Sequence, residues 1–352
     1  MTACYLVKDD HTPSRAKFPV IDAHNHLWAE WGSVDRVREV MDQVGVRTYC
    51  DLTANISVRW GEGGYKLGSG SLESFLHHCV KPHGDRFYGF TCANFIGPPE
   101  QPLFGDAGVF AEENVAVLRD HVRQGARGLK ILKEVGLRYR DAKGDLVRLD
   151  DERLAPIWDA CAELGVPVLM HVSDPYGFFQ PVTPENEHYD SLQKYPDWSF
   201  ADPVFPGKER LLEQRNRLLS SHPGTTFMLP HVANFPEDLT GVSKLLDDFP
   251  NAFIDFSARI DELGRQPYTA REFLIQYRDR IYFGTDMPAS AEMYRCYFRF
   301  LETWDEYFIP PDYDGTFGRY RWRIHGLGLP DDVLQDIYFR TVQRLVPGLP
   351  RI

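Results

Sequence analysis

Six residues able to bind a metal or move a proton stand at or near the ends of short apolar runs. PVIDAHNHLW (19–28) closes on His24 and His26, ARGLKIL (126–132) carries Lys130, VPVLMHV (166–172) His171, TTFMLPHV (225–232) His231 and IYFGTDM (281–287) Asp286. Residues two apart on a strand point to the same side, so His24 and His26 can place two ring nitrogens on one ion while Asn25 faces away. Taken singly, each has a plain structural reading. A histidine that ends a buried strand is more often a hydrogen-bonded core residue, and Asp286 could cap a following helix. A carboxylate at the mouth of an apolar strand is nonetheless costly to bury without a cation or several donors. Together, three neutral imidazoles and one carboxylate make a nitrogen- and oxygen-rich set that suits Zn²⁺, with Mn²⁺ or Fe²⁺ as alternatives. An ion of that kind lowers the pKa of a water in its open position, so the chemistry implied is attack of an activated water on an electrophilic carbon.

The runs that carry these residues belong to a longer series. FPVIDAH (18–24), VRTYCDL (46–52), RFYGFTCANF (86–95), ARGLKIL, VPVLMHV, TTFMLPHV, AFIDFSA (252–258) and IYFGTDM give eight strand candidates. Helix-spaced segments separate them: SVDRVREVMDQVG (33–45) and ERLAPIWDACAELG (152–165), each closed by glycine, then DLTGVSKLLDDFP (238–250) and AREFLIQYRDR (270–280). SAEMYRCYFRFLETWDEYF and DDVLQDIYFRTVQRLV add C-terminal helices. Strand–helix alternation with strands buried on both faces implies parallel pairing, and eight such units imply a closed (β/α)8 TIM barrel in a single α/β domain. Residues 1–17 read as an N-terminal extension and 18–352 as the barrel. In such a barrel the C-terminal strand ends converge, which is where the six residues lie.

Two connections are long. The one after the second strand (53–72) carries Asn55, Arg59, Trp60 and GEGGYKLGSG; the one after the fifth (173–224) is rich in proline and aromatics, with Tyr176, Phe178, Phe179, Tyr189, Tyr195, Trp198 and Phe200 before residue 206. Long loops in a globular domain commonly serve as lids. The aromatics suit a flat or ring-bearing substrate, or equally a contact between copies in a homo-oligomer. Arg59, and Arg259 after the seventh strand, are candidate anion binders.

The totals narrow the partners. A chain of 352 residues with 43% hydrophobic and 26% charged content can bury a large core, while a net charge of −12 argues against a nucleic-acid partner. No run is long and apolar enough for a membrane span, and residues 1–17 lack a signal-like apolar segment, so a cytoplasmic location is expected; a chain trimmed of its signal peptide would read the same. The six cysteines are scattered without a CxxC spacing and read as reduced structural thiols. A small-molecule substrate is the expected partner.

PVIDAHNHLW, VLMHVSD, LPHVANF and IYFGTDMP, in this order, resemble the amidohydrolase superfamily, in particular the branch of metal-dependent hydrolases and non-oxidative decarboxylases related to aminocarboxymuconate-semialdehyde decarboxylase. The resemblance runs from about residue 18 to the C-terminus, where IYFRTVQRLV has Thr341 in a position often held by asparagine. It implies that His24, His26, His171 and Asp286 bind one divalent metal, that His231 is a catalytic or neighbouring histidine, and that Asp286 also accepts the proton of the attacking water. Binuclear relatives carbamylate a lysine at the position of Lys130. A free lysine that binds a substrate carboxylate or oxyanion is preferred here, and a lysine reaching past the rim into solvent is the bland alternative. The function expected first is a metal-dependent hydrolase of an amide, lactone or ester; the alternative is a metal-dependent non-oxidative decarboxylase of a small carboxylic acid. A catalytically silent barrel leaves the converging ligand set without a purpose.

Overall fold

In the computed structural model, which describes residues 9–28, 33–61, 64–97, 101–310 and 322–352, the apolar runs form short parallel strands. They are β1 (Val20–Asp22), β2 (Val46–Asp51), β5 (Phe87–Gly89), β6 (Leu129–Ile131), β7 (Val168–Met170), β8 (Phe227–Leu229) and β9 (Ala252–Ile254). β1, β2 and β5 pair in that order, as do β6 to β9. A bridge between Thr91 and Leu129 joins the two sheets, and another between Ile254 and Ile281 adds the eighth run. That run closes the ring: Ala23 N donates to Phe283 O at 3.0 Å, and Asp286 N to His24 O at 2.8 Å. The result is the (β/α)8 barrel read from the pattern. Its strands are shorter than the runs, because the residues that follow turn inward to the site.

The helix Val34–Val44 shows how the sequence sets its own boundaries. Ser33 Oγ accepts from Arg36 N, Gly45 ends the helix at φ 89°, and Val37, Val40, Met41 and Val44 are buried against the barrel. Ala155–Leu164 and Leu239–Asp248 fall within their expected segments. The helix expected at 270–280 begins earlier, at Pro267, where the missing N–H costs nothing.

Three elements lie outside the sequence reading. Within the segment 53–72, β3 (Ile56–Gly61) pairs antiparallel with β4 (Gly64–Ser69), Arg59 opposite Lys66 and Trp60 opposite Tyr65. Glycines in this segment mask the strand pattern. The helix Ala107–Gln124 is capped by Asp106 and includes Asn114 in its buried face. The helix Lys208–Ser221 stands inside what reads as a long loop, since its buried face includes Lys208, Gln214 and Arg215 and so carries little apolar period.

Cys50, Cys79, Cys92, Cys161 and Cys296 are free and buried, as expected of structural thiols, and burial pushes the Cys92 thiol up to about 12. Cys4 lies outside the described residues. Among those residues no helix is long and apolar enough to cross a membrane.

Candidate active site

His24 and His26 leave β1 pointing into the barrel mouth, and Asn25 turns the other way. Its Nδ2 donates to Asp22 Oδ2 at 3.0 Å and Thr285 Oγ1 at 2.8 Å, and its Oδ1 accepts from His26 N at 2.8 Å. Asp22, fully buried, also accepts from Thr285 Oγ1 and Tyr294 OH, both at 2.7 Å. This node under the histidines binds the first barrel unit to the last.

Hydrogen bonds fix which nitrogen each ring offers. His24 Nδ1 lies 2.8 Å from Asp255 Oδ2. Burial opposes the Asp255 charge, but His24 and the Ser257 and His231 donors hold its carboxyl below the usual range. Asp255 therefore accepts, and His24 Nδ1 carries the proton. Thr53 Oγ1 gives its hydrogen to Asp51 Oδ1 at 3.0 Å, so it accepts from His26 Nδ1 at 2.9 Å. His231 Nδ1 meets the Ser257 carbonyl at 2.8 Å, and a carbonyl can only accept. In a neutral ring so oriented, Nε2 is the nitrogen that offers a lone pair.

Those lone pairs surround one carboxylate. Asp286 Oδ1 is 3.4 Å from His26 Nε2, and Oδ2 is 3.6 Å from His24 Nε2 and 3.7 Å from His231 Nε2. Ligand atoms of His24, His26 and Asp286 all lie within 4.8 Å of one another. The Nε2 atoms of His24, His171 and His231 are buried without a hydrogen bond. Burial pushes His26 and His231 well below the ordinary imidazole range and His171 down to about 4, so these rings are neutral. A set of buried lone pairs around a carboxylate lacks only a cation, and a divalent ion fits it.

His171 stands outside the three-residue cluster. Its ring centroid is 4.6 Å from that of His231, but its Nε2 is 3.5 Å from Asp174 Oδ1. His231 and Asp286 both sit in the left-handed backbone region, at φ 59° and 52°, and the run continues through Val232, Ala233 and Asn234. Side chains beyond glycine resist this conformation, so it must be imposed. Asp255 Oδ1 accepts from His231 N at 2.9 Å. From the helix Lys208–Ser221, buried Lys208 donates to Asn234 O at 2.7 Å and Asp174 O at 2.5 Å, and buried Arg215 donates to Ala233 O.

Above the cluster lies a pocket of about 150 Å³ whose lining includes His171, His231 and Asp286. Trp28, Trp60, Tyr65, Phe178, Trp198 and Met287 give it flat apolar walls, and Lys133, Arg259, His188 and Glu262 add polar groups. Lys130 is 1% exposed and lines a smaller cavity of about 60 Å³ with His26, His171 and Asp286. The alternative of a lysine reaching into solvent is thereby corrected: a strand facing the barrel interior carries its lysine inward. Burial lowers the Lys130 pKa, and the Asp286 charge opposes that shift.

Arg259 lines the pocket, with Nη2 3.8 Å from Asp174 Oδ1. Arg59 does not. It is exposed on β3, because strand alternation turns it to the face opposite Val58 and Trp60, and the expected anion binder there is corrected to an aromatic wall from Trp60 and Tyr65. Of the aromatics before residue 206, Phe178 and Trp198 line the pocket, Tyr195 and Phe200 are buried, and Tyr176 is exposed. Lys133, Asp174, His188 and Glu262 escaped the sequence reading. Lys133 and Asp174 each stand three residues beyond a residue it singled out, an available signal; His188 and Glu262 left none.

A family model described as amidohydrolase matches residues 21–338. The chain belongs to the amidohydrolase family. No curated protein sequence matches it. Among solved structures it is similar to an uncharacterised TIM-barrel protein from Bordetella bronchiseptica, at 18% identity and TM-score 0.54, covering 89% of this chain and 82% of that one. It is also similar to a dihydroxybenzoic acid decarboxylase from Polaromonas sp. JS666 with bound manganese and 2-nitroresorcinol, at 15% identity and TM-score 0.51 over 93% and 96% of the two chains. The 2,6-dihydroxybenzoate decarboxylase from Rhizobium gives 15% identity and TM-score 0.51 over 93% and 98%. At these identities the likeness is one of fold.

Proposed function

We propose that this amidohydrolase-family protein is a metal-dependent hydrolase acting on the carbonyl carbon of an amide, lactone or ester in a small, ring-bearing molecule. The carrying observation is the Asp286 carboxylate set among the unhydrogen-bonded Nε2 atoms of His24 and His231, with His26 Nε2 3.4 Å away. His24, His26, His171 and Asp286 would hold one divalent ion, Zn²⁺ first and Mn²⁺ or Fe²⁺ as alternatives; His171 joins the set by turning its Nε2 from Asp174. Such an ion supplies a polarised substrate carbonyl and a water of lowered pKa. Burial raises the Asp286 pKa, which suits a carboxylate that takes a proton and returns it to a leaving group. His231, neutral with its Nε2 lone pair facing the pocket, positions or protonates the substrate. Lys130 and Arg259 stabilise negative charge that develops during reaction, and the aromatic walls exclude water and stack on the ring.

A second reading, non-oxidative decarboxylation of a ring carboxylic acid, is favoured by Arg259 and Lys133 in the pocket lining, where a cation can hold a carboxylate. The named activities of the Polaromonas and Rhizobium proteins accord with it. Metal analysis of the purified protein, followed by a panel of lactones, amides and aromatic acids, tests both. About one equivalent of divalent ion with metal-dependent release of acid from a lactone or amide supports hydrolysis. Carbon dioxide release from the acids alone transfers the assignment to decarboxylation, and failure to take up metal after supplementation ends both readings.

A further inference from the structure

The wall of the pocket built by the loops carries buried polar atoms with no hydrogen bond among the described residues: Arg259 Nε, and two that can accept, on Glu262 and His188. Glu262, on the short helix Ile260–Gly264 after β9, is 3% exposed, and its Oε2 has no partner. His188, from the segment after β7, is 8% exposed, and its Nε2 has none either. The carboxylate oxygens near that nitrogen, Glu187 Oε1 at 3.5 Å and Glu262 Oε1 at 4.0 Å, do not meet it with hydrogen-bond geometry. Both side chains line the pocket. Polar groups buried this deeply are ordinarily satisfied, so two of them on separate elements facing one cavity point to an occupant that completes them.

The charges around them indicate what kind of group it is. Lys133 Nζ is 2.5 Å from Asp174 Oδ2, and Arg265 Nη1 is 2.6 Å from Glu187 Oε2. Arg259 interacts electrostatically with Glu262 and Asp261, two carboxyls that hydrogen-bond to each other. Burial, and then the Asp261 charge, raises the Glu262 pKa, so the buried pair favours retaining a proton. Lys133, Arg265 and Arg259 thus each stand beside a carboxylate, with which a charged ligand end would have to compete. With the Glu262 proton given to Asp261, Oε2 is an acceptor, while an imidazole can serve either way. Phe178 packs edge-on against His188 at 5.2 Å and is stacked by Trp198 at 5.9 Å, which places flat surfaces beside the two orphaned atoms.

We propose that Glu262 and His188 form a second subsite that takes a neutral donor–acceptor group, a hydroxyl or a primary amide, at the end of a ring-bearing substrate remote from its reacting carbon. The subsite rests on the metal-end reading given above, since the reacting carbon must lie at Asp286. Its test is calorimetric titration of metal-loaded protein with para-substituted benzoates that differ only in the remote group. The para-hydroxymethyl and para-carbamoyl compounds bind about tenfold tighter than para-methylbenzoate, and the charged para-aminomethyl and para-carboxy compounds bind more weakly. Glu262→Leu brings the hydroxymethyl and methyl compounds within about twofold of each other. Glu262→Gln keeps an acceptor oxygen and a donor toward Asp261, and so keeps the preference. Equal affinities in the native protein, the result for a subsite served by water alone, overturn the proposal, as does a preference that survives Glu262→Leu. In both cases metal-dependent binding of para-methylbenzoate leaves the metal-end reading standing; no binding of any probe by the loaded protein removes both.

Discussion

At and beneath one end of the pocket, His24, His26, His231 and Asp286 stand at the ends of barrel strands, each ring oriented by a hydrogen bond from Nδ1. At the other end Glu262, His188 and Trp198 stand on connecting segments, amid ion pairs that cancel one another. The first end gathers unpaired lone pairs of one kind, which suits a cation; the second balances its charge and leaves single hydrogen-bond positions open. On the functions proposed above, chemistry falls to the scaffold and selectivity to the loops, a division common to barrels of this architecture.

Substitutions at the two ends should therefore read out differently, and each is a means of breaking the division. The largest effect is expected for Asp286→Asn, which lowers turnover by at least about a thousandfold while the far-ultraviolet circular dichroism spectrum is retained; full activity in this variant would remove Asp286 from the chemistry. Next comes Asp255→Asn, which takes away the acceptor that fixes the His24 tautomer. Metal affinity, measured by competition with a chromophoric chelator, should fall about 10- to 100-fold. Trp60→Ala should weaken ring-bearing ligands by about tenfold without changing metal content measured by mass spectrometry. Loss of metal in that variant would mean that the two ends are one cooperative unit. Arg59→Ala, on the exposed face of β3, should leave KM within about twofold of the native value.

The remaining effect concerns pH. Glu262 has a folded pKa of about 8, raised from 4.5, so its protonated form is favoured by folding. Its contribution to stability is complete below the unfolded value and is lost as pH rises through the folded one. Relative to Glu262→Gln, the native protein should lose stability between about pH 4.5 and 8, with the variant melting about 6 °C higher at pH 8. A difference between the two proteins that does not change with pH would place the proton elsewhere.

The gathering of His24, His26, His231 and Asp286 was legible in the sequence because these residues terminate apolar runs, and a barrel brings all such termini to one rim. His24 and His26 show this most directly, since a period of two placed both rings on one side and Asn25 on the other, as its bonds to Asp22 and Thr285 bear out. The far end was not legible. Glu262 is a buried carboxyl in a five-residue helix, and His188 lies within a long proline-rich segment; neither sits in a periodic pattern that announces burial. Arg59 was misplaced for a related reason: with 53–72 read as a loop, nothing told its face from that of Trp60. The helix Lys208–Ser221 was hidden by its buried Lys208 and Arg215, cations that serve the carbonyls of the strained His231 segment where apolar residues would ordinarily serve the core.

The Asp22 node also orders events in time. Its acceptor oxygens are met by Asn25, three residues away, and by Thr285 and Tyr294, more than 260 residues further along the chain. Contacts of such separation form late, because the loop they close must first be shortened by everything folded between. During synthesis the flat walls given by Trp60 and Trp198 can emerge and pack while His24 and His26 still wait for Asp286. The ring closes only when the eighth run reaches the first and brings Asp286 beside His24 and His26.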